Sequence, residues 1–509
     1  MKLRLLWAWY GVLATLVGIG LAHAVASLTD PASSPVLAVG SAVIDLTPTP
    51  MKEWAIRNFG SADKVILVGS VLGGVLVLAA VAGVLARRRL AWGASLLVVL
   101  VGIAAVAVLS RPEARVLDLL PSLVAAVTAP LALAFLARKQ HEVGAGTSAE
   151  GADGGQTTGR RGVLISIGAL TAIAAVGGVA GRVINKLRLR PEDVDLPTAA
   201  SPAPALPRGL DDQVPGITPF ETPIKDFYRV DTRLDTPIVG ADDWALTVDG
   251  DVDKKLTITF DELLAMPMIE RNITLTCVSN SVGGPYIGSA RWLGVPLKDI
   301  LDLAGVGNKA DQILSTDFDG MTISTPLDLA TDGRDAMIVV GMNGKPLPRE
   351  HGFPVRMIIP GLYGFISATK WLTKLTLTTY DDQKAYWTDR DWATDAPIKI
   401  SARIDTPKAL SKLDAGDVVI GGVAWAQERD GISGVQVRID GGAWVDATLG
   451  PDGGENYWRQ WFYPWNAKKG AHRLAVRAMS GNGEAQVAVR AEPFPNGASG
   501  LHELLVNVS

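Results

Sequence analysis

Cysteine occurs once in this chain, as Cys277. It sits in Thr274-Leu275-Thr276-Cys277-Val278-Ser279-Asn280-Ser281-Val282-Gly283-Gly284, at the end of a predicted strand that runs into a glycine-rich loop. A lone cysteine can form no intramolecular disulfide, no Cys-x-x-Cys redox pair, no Cys-x-x-Cys-His haem attachment and no all-cysteine zinc or iron–sulfur site. Two roles remain. One is a small buried hydrophobe; the other is a thiolate ligand to a soft metal. Histidine is equally sparse, with five in 509 residues, which weighs against a histidine-rich metal site.

The elements that must position this residue divide the chain in two. At 53.7 kDa the chain is too long for one ordinary domain. It is 48% hydrophobic and only 20% charged, with a mean hydropathy of +0.23, so fibrous and wholly disordered classes are excluded. Residues 1–190 carry 18 Lys+Arg against 9 Asp+Glu, whereas residues 191–509 carry 30 against 43. A basic apolar third joined to an acidic remainder predicts a membrane part and an aqueous part. The acidic part lacks the basic stripe that nucleic acid requires, so no nucleic-acid partner is expected.

Five uncharged runs, Leu5–Thr29, Val65–Ala86, Leu90–Ser110, Leu119–Ala137 and Val163–Gly181, have the length to cross a bilayer. The positive clusters Lys2/Arg4, Arg87–Arg89, and Arg138, Lys139, Arg160 and Arg161 alternate as expected for a cytoplasmic N-terminus. Five crossings then place everything after residue 182 outside, a multi-pass cell-membrane topology. Thr158-Gly-Arg160-Arg161-Gly-Val-Leu164 resembles an internal twin-arginine export signal, or is an ordinary basic anchor. Met51–Gly60, with Trp54 and Phe59, reads as an interfacial helix or a loop. His23 is the only histidine in a span, and a membrane b-haem usually needs two ligands.

Outside the membrane, Leu196–Pro207 is a Pro/Ala spacer, expected to be extended and to hold a domain away from the lipid. Residues 210–395 mix short strands with helix starts, an α+β pattern. From about 397 the texture is all-β: Val435–Ile439 alternates, and Asp440-Gly441-Gly442 is a hairpin turn. The short strands that follow predict an immunoglobulin-like sandwich. Trp425, Trp444, Trp458, Trp461 and Trp465 are expected to pack its core and edges. The predicted domains are thus a membrane region at 1–182, a linker at 183–209, a catalytic domain at 210–395 and a β-sandwich at 396–509.

Seven stretches in order carry a family resemblance: Phe227-Tyr228-Arg229-Val-Asp-Thr232, Cys277-Val-Ser-Asn280, Ala290-Arg-Trp292-Leu-Gly294-Val-Pro-Leu297, Asn343-Gly344-Lys-Pro346-Leu-Pro348, His351-Gly-Phe-Pro-Val-Arg356, Ile359-Pro-Gly-Leu-Tyr363-Gly364 and Lys370-Trp371-Leu372. This part of the chain resembles the sulfite oxidase family of molybdopterin-dependent oxidoreductases, of a membrane-anchored bacterial type. The tail, with Asp440-Gly-Gly-Ala-Trp444 and Pro495-Asn-Gly497-Ala-Ser-Gly500-Leu-His502, looks like that family's immunoglobulin-like dimerisation domain. The resemblance implies that Cys277 ligates molybdenum, and that Tyr228, Arg229, Thr316 (or Ser315), His351, Arg356, Thr369 and Lys370 hold the pterin and its phosphate. It makes Tyr363 a catalytic candidate near the metal. Arg and Lys donors suit a buried phosphate, although alone each also reads as a surface ion-pair residue. Where sulfite oxidases carry substrate-binding arginines after the cysteine, this chain has Ser281 and Val282.

The expected protein is therefore a membrane-anchored enzyme transferring oxygen atoms and two electrons on the outer face, with a sulfite-like anion or an S- or N-oxide as substrate. Mo-molybdopterin is the expected cofactor, and no haem or iron–sulfur cluster is expected in this chain. Electrons would pass to a separate carrier protein or a quinone, and the C-terminal domain would form a homodimer. The rival reading is a non-catalytic membrane receptor on the same fold.

Overall fold

A computed structural model describes residues 2–48, 51, 54–55, 59, 62–112, 114–149, 155–188 and 194–509. Lys52, Glu53 and Arg57 of the expected interfacial segment lie outside these residues. So does the side chain of Arg160.

The chain forms two compact units, residues 1–190 with 232–238, and residues 191–231 with 239–509. The first unit is helical: α1 (Lys2–Leu28), α2 (Pro35–Leu46), α3 (Asp63–Ala86), α4 (Leu90–Leu109), α5 (Leu120–Ala149) and α6 (Gly155–Arg188). Among the described residues, five helices are long and apolar enough to cross a membrane, spanning Leu3–Leu28, Lys64–Ala86, Leu90–Leu109, Val116–Glu142 and Arg161–Arg188. Each contains or nearly matches one predicted run. α2 was not predicted; at 12 residues it is too short to span. α1 packs against α3, α5 and α6. Gly11 of α1 and Gly83 of α3 let two backbones meet where a Cβ would collide with the facing carbonyl.

Segment 232–238 belongs to this helical unit although both flanks belong to the other. Lys64 donates to the Arg233 carbonyl at 2.6 Å, and Leu234 packs beside Gly40. Arg111 pairs with Asp30 at 2.7 Å, and Arg233 lies 3.8 Å from Asp235. No sequence pattern signalled this re-entry.

The second unit contains four sheets. Its first ten strands are β1 (Ala245–Gly250), β2 (Leu256–Thr259), β3 (Ile269–Thr276), β4 (Ile287–Pro296), β5 (Gln312–Asp317), β6 (Thr322–Pro326), β7 (Met337–Met342), β8 (Lys345–Pro346), β9 (Arg356–Ile358) and β10 (Leu372–Thr378). One sheet has the order β2-β1-β10-β5-β6, the other β3-β4-β7-β8 with β9 paired to β7. Only β1 and β10 run parallel within them. Short helices α7 (Phe260–Leu264), α8 (Leu297–Ala304), α9 (Leu327–Thr331) and α10 (Gly364–Ser367) connect them. Thr259 and Glu262 form a capping box that starts α7.

Nine further strands follow: β11 (Ser401–Thr406), β12 (Lys412–Leu413), β13 (Gly416–Trp425), β14 (Ile432–Ile439), β15 (Val445–Asp446), β16 (Thr448–Leu449), β17 (Arg459–Ala467), β18 (Gly470–Ser480) and β19 (His502–Val508). They build two sheets, β11-β13-β17-β16 and β12-β19-β18-β14-β15, whose inner residues share one core that includes Ile420, Val437, Trp461 and Val476. Asp440 and Gly441 both have positive φ (51° and 72°), as a two-residue hairpin turn requires. Trp425, Trp458, Trp461 and Trp465 are buried; Trp444 instead lies between the guanidinium groups of Arg438 and Arg477, each 4.5 Å from its ring.

The Pro/Ala segment is extended but does not hang free. Ser201 pairs with Ile269 at the start of β3, Glu270 N–H donates to the Ser201 carbonyl at 2.8 Å, and Leu196 and Leu206 pack on the core. Its prolines forbid a helix, while its few apolar side chains find a sheet edge to cover.

Candidate functional site

Cys277 follows directly on β3. Its N–H donates to the Tyr286 carbonyl at 3.0 Å, and its carbonyl accepts from Asn280 N–H at 3.0 Å. The Asn280 side chain then accepts from Tyr286 N–H at 2.9 Å. The thiol is buried, 3.0 Å from the Ser279 hydroxyl. Burial raises its pKa above the ordinary thiol value, although Ser279 and Lys370 pull the other way. Without a metal the group is therefore a protonated thiol at neutral pH.

The loop beyond is clamped from the C-terminal sheets. Arg403 of β11 donates to the Gly284 carbonyl at 2.9 Å and to the Thr218 hydroxyl at 2.7 Å, and pairs with Asp405 at 2.6 Å. The His502 ring, at the start of β19, lies against Gly283, whose φ is +78°. Burial and Arg403 depress the His502 pKa to about 4, and its Nδ1 accepts from the Ile404 N–H at 3.0 Å. Neither Arg403 nor His502 was singled out from sequence as a site residue.

A basic pocket adjoins the thiol. Arg356 on β9 is buried; it donates to the His351 carbonyl at 3.1 Å, and its guanidinium lies 5.2 Å from the Trp292 ring centre. Its Nε is buried with no hydrogen-bond partner. Lys370 pairs with Asp231 at 2.8 Å, and the same carboxylate oxygen receives Arg229 Nε at 2.8 Å. Burial depresses Lys370 to about 8, with Asp231 opposing, and depresses Arg356 to about 10. His351 is pushed down to about 3 by burial, then by Arg356 and Lys370. It is neutral at pH 7, so its Nε2–H is the donor to the Ile224 carbonyl at 3.3 Å. Tyr228 stacks on Phe227 at 5.3 Å, and Phe227 meets the edges of Trp292 and His351. Burial, followed by the nearby Cys277, raises the Tyr228 phenol.

Thr369 is buried, and its hydroxyl lies 2.6 Å from that of Ser315. Side chains alternate along β5, so Ser315 faces Thr369 whereas Thr316 faces the other side of the sheet. Of the two sequence candidates, Ser315 is the one brought to Thr369. Tyr363 is buried, with its hydroxyl 3.4 Å from Lys399 N–H and its ring against Gly497. Burial and then Cys277 push its pKa up to about 12. The structure thus gathers Cys277, Tyr228, Arg229, His351, Arg356 and Lys370, with Tyr363 near enough to feel the charge of Cys277. Asp231 was missed, although it stands inside the quoted Phe227–Thr232 motif.

Among the described residues, no group of three or more His, Cys, Asp or Glu side chains could hold a metal ion. A metal beside Cys277 would therefore come with most of its own ligands. The orphaned Arg356 Nε, with Lys370 and Arg229, fits an anionic group such as a phosphate.

Known proteins resemble this part of the chain. Residues 233–387 match the oxidoreductase molybdopterin binding domain. The mitochondrial sulfite oxidase of Drosophila melanogaster is 30% identical over 291 residues, 48% of this chain and 50% of that protein. The human mitochondrial sulfite oxidase is 30% identical over 281 residues, 45% and 50%. A crystal structure of the sulfane dehydrogenase SoxCD from Paracoccus pantotrophus aligns over 58% of this chain and 84% of that one, at 22% identity and a TM-score of 0.49. Through this region the chain is similar to the sulfite oxidases, and residues 233–387 match a molybdopterin-binding oxidoreductase domain. It spans about half the length of the sulfite oxidases it matches.

Proposed function

We propose that this protein is a membrane-anchored molybdenum enzyme that moves one oxygen atom and two electrons on the outer face of the membrane. The observation that carries it is a buried lone thiol beside a buried basic pocket containing an orphaned guanidinium nitrogen. When bound, the molybdenum–pterin group supplies the oxygen-atom chemistry. Cys277 gives up its proton and serves as the protein's thiolate ligand, with Ser279 donating to the sulfur. Arg356, Lys370 and Arg229 receive the phosphate, and neutral His351 and Tyr228 line the pterin. Tyr363, un-ionised at neutral pH, keeps a phenolic proton near the metal side for a substrate oxygen.

The substrate class follows from what the thiol loop offers. Ser281 is exposed and Val282 and the two glycines carry no charge; Arg403 is committed to Gly284, Thr218 and Asp405, and Arg291 lies 3.8 Å from Glu270. That favours an uncharged S- or N-oxide over sulfite. The receptor reading does not require a thiol and a phosphate cradle to adjoin. The C-terminal two-sheet region is read as the immunoglobulin-like domain and as the surface of a homodimer.

Metal analysis tests the reading. Protein from a cofactor-competent host should hold about one molybdenum per chain, and Cys277→Ser should lose turnover while keeping its fold by circular dichroism. Metal-free wild type, or undiminished turnover in Cys277→Ser, would overturn it.

A further inference from the structure

Segment 232–238 leaves the sheet-rich unit and returns to it, and both of its roots lead to one dipeptide, Lys370-Trp371. The leading root is Asp231. One oxygen of its buried carboxylate takes both Lys370 Nζ and Arg229 Nε, each at 2.8 Å. The returning root is Val239. Its carbonyl accepts from Nη1 of the buried Arg349 at 2.7 Å, and the Arg349 carbonyl in turn accepts from Trp371 Nε1 at 2.8 Å. Lys370 Nζ lies 4.6 Å from the centre of the Trp371 ring. Trp371 itself holds φ at +53°, a left-handed conformation that a bulky residue keeps only where its surroundings impose it.

The body of the segment is bound to helices. Lys64 of α3 donates to the Arg233 carbonyl at 2.6 Å, and Leu234 packs so closely on α2 that a Cβ at Gly40 would come within 2.8 Å of it. Asp235 lies among the charges of Arg233, Asp30 and Arg111, the last two paired at 2.7 Å. A segment this short, fixed at both roots, has little slack to absorb a shift. A change at Asp231 must therefore be felt at Gly40 and Lys64.

We propose that segment 232–238 is a strap that links anion occupancy of the basic pocket to the helical unit. The inference rests on the reading of Arg356, Lys370 and Arg229 as a phosphate site. An anion entering there takes Lys370 and Arg229 from Asp231. Having lost these two partners in a buried position, the carboxylate turns toward water, and the strap loosens from Gly40 and Lys64. By linkage the effect is reciprocal. Whatever weakens the strap's hold on the helices favours anion binding by the same factor.

The probe is inorganic sulfate, titrated calorimetrically into cofactor-free full-length protein in detergent. Lys64→Met and Leu234→Ala, neither of which lines the pocket, should each tighten sulfate about fivefold, the low end of ordinary coupling between sites. In an Asp231→Asn background neither should change it further, since the carboxylate that couples the two ends is gone. Conversely, saturating sulfate should quicken acetylation of the wild-type Lys64 amine, read by mass spectrometry, by about the same factor. Unaltered or weakened sulfate affinity in both folded variants would overturn the strap, and so would a Lys64 acetylation rate indifferent to sulfate. The two readings fail separately. Wild type that binds no sulfate, or binds it equally well after Lys370→Met, defeats the phosphate site and the strap with it. Wild type that binds sulfate through Lys370 while ignoring both strap variants defeats only the strap.

Discussion

Lys370 and Arg229 converge on one oxygen of Asp231, so these two cations are paired within the protein. An arriving anion must compete with that carboxylate. Asp231→Asn should therefore destabilise the cofactor-free protein by about 3–5 kcal/mol, the usual cost of breaking a buried pair, and cofactor loading should restore most of it. Chemical denaturation of both forms checks this; equal losses in the two would refute it. The pH dependence has a definite sign. Lys370 is charged below about 8 and His351 is neutral above about 3. Sulfate, whose charge is constant in this range, should bind the cofactor-free pocket equally from pH 5 to 7 and progressively more weakly above about 8. A fall between pH 6 and 7 instead would point to a charged histidine. The sequence revealed these residues only through motifs. Cys277, His351, Arg356 and Lys370 stood in recognisable strings, but Arg403 and His502 act from more than 100 residues away, and nothing local marks them.

At the scale of elements, alternation and turn chemistry were the legible signals. The strand β14 contains the alternating run Val435–Ile439, and the turn Asp440-Gly441-Gly442 follows it directly. The resemblance put Thr316 before Ser315, and Ser315 is the one whose hydroxyl lies beside Thr369. The re-entrant segment 232–238 was invisible because it has no periodicity of its own. The loop after Cys277 is the element most exposed to substitution. Gly283 has φ +78° and carries the His502 ring against its face. Gly283→Ala should cost about 1–3 kcal/mol from backbone strain, with further displacement of the ring, read as a lower denaturation midpoint and faster loss of molybdenum. An unchanged midpoint would show that the loop relaxes freely.

For the whole molecule, the basic and acidic halves of the sequence correspond to the helical unit and the sheet-rich unit. The finer division at 395/396 is less clean in three dimensions: Val423, Trp425, Tyr457 and Trp458 belong to the same apolar core as β3, β4 and β7. Thermal unfolding of residues 191–509 within the full protein should accordingly show one transition; two well-separated ones would refute the shared core. Export is tested at the same scale. Changing Arg160 and Arg161 together to Lys should leave the sheet-rich unit in the cytoplasm, as judged by protease accessibility of spheroplasts, and normal export would reduce the pair to a topology signal. The grip of Arg403 and His502 on Gly284 and Gly283 also bears on heredity. Gene order makes the last 114 residues look like a detachable cassette, yet two of them set the path of the chain leaving the Cys277 thiol. A lineage that recombined at this boundary would inherit one ancestor's sulfur and another's hold on it, so the thiol loop and the C-terminal sheets should descend together.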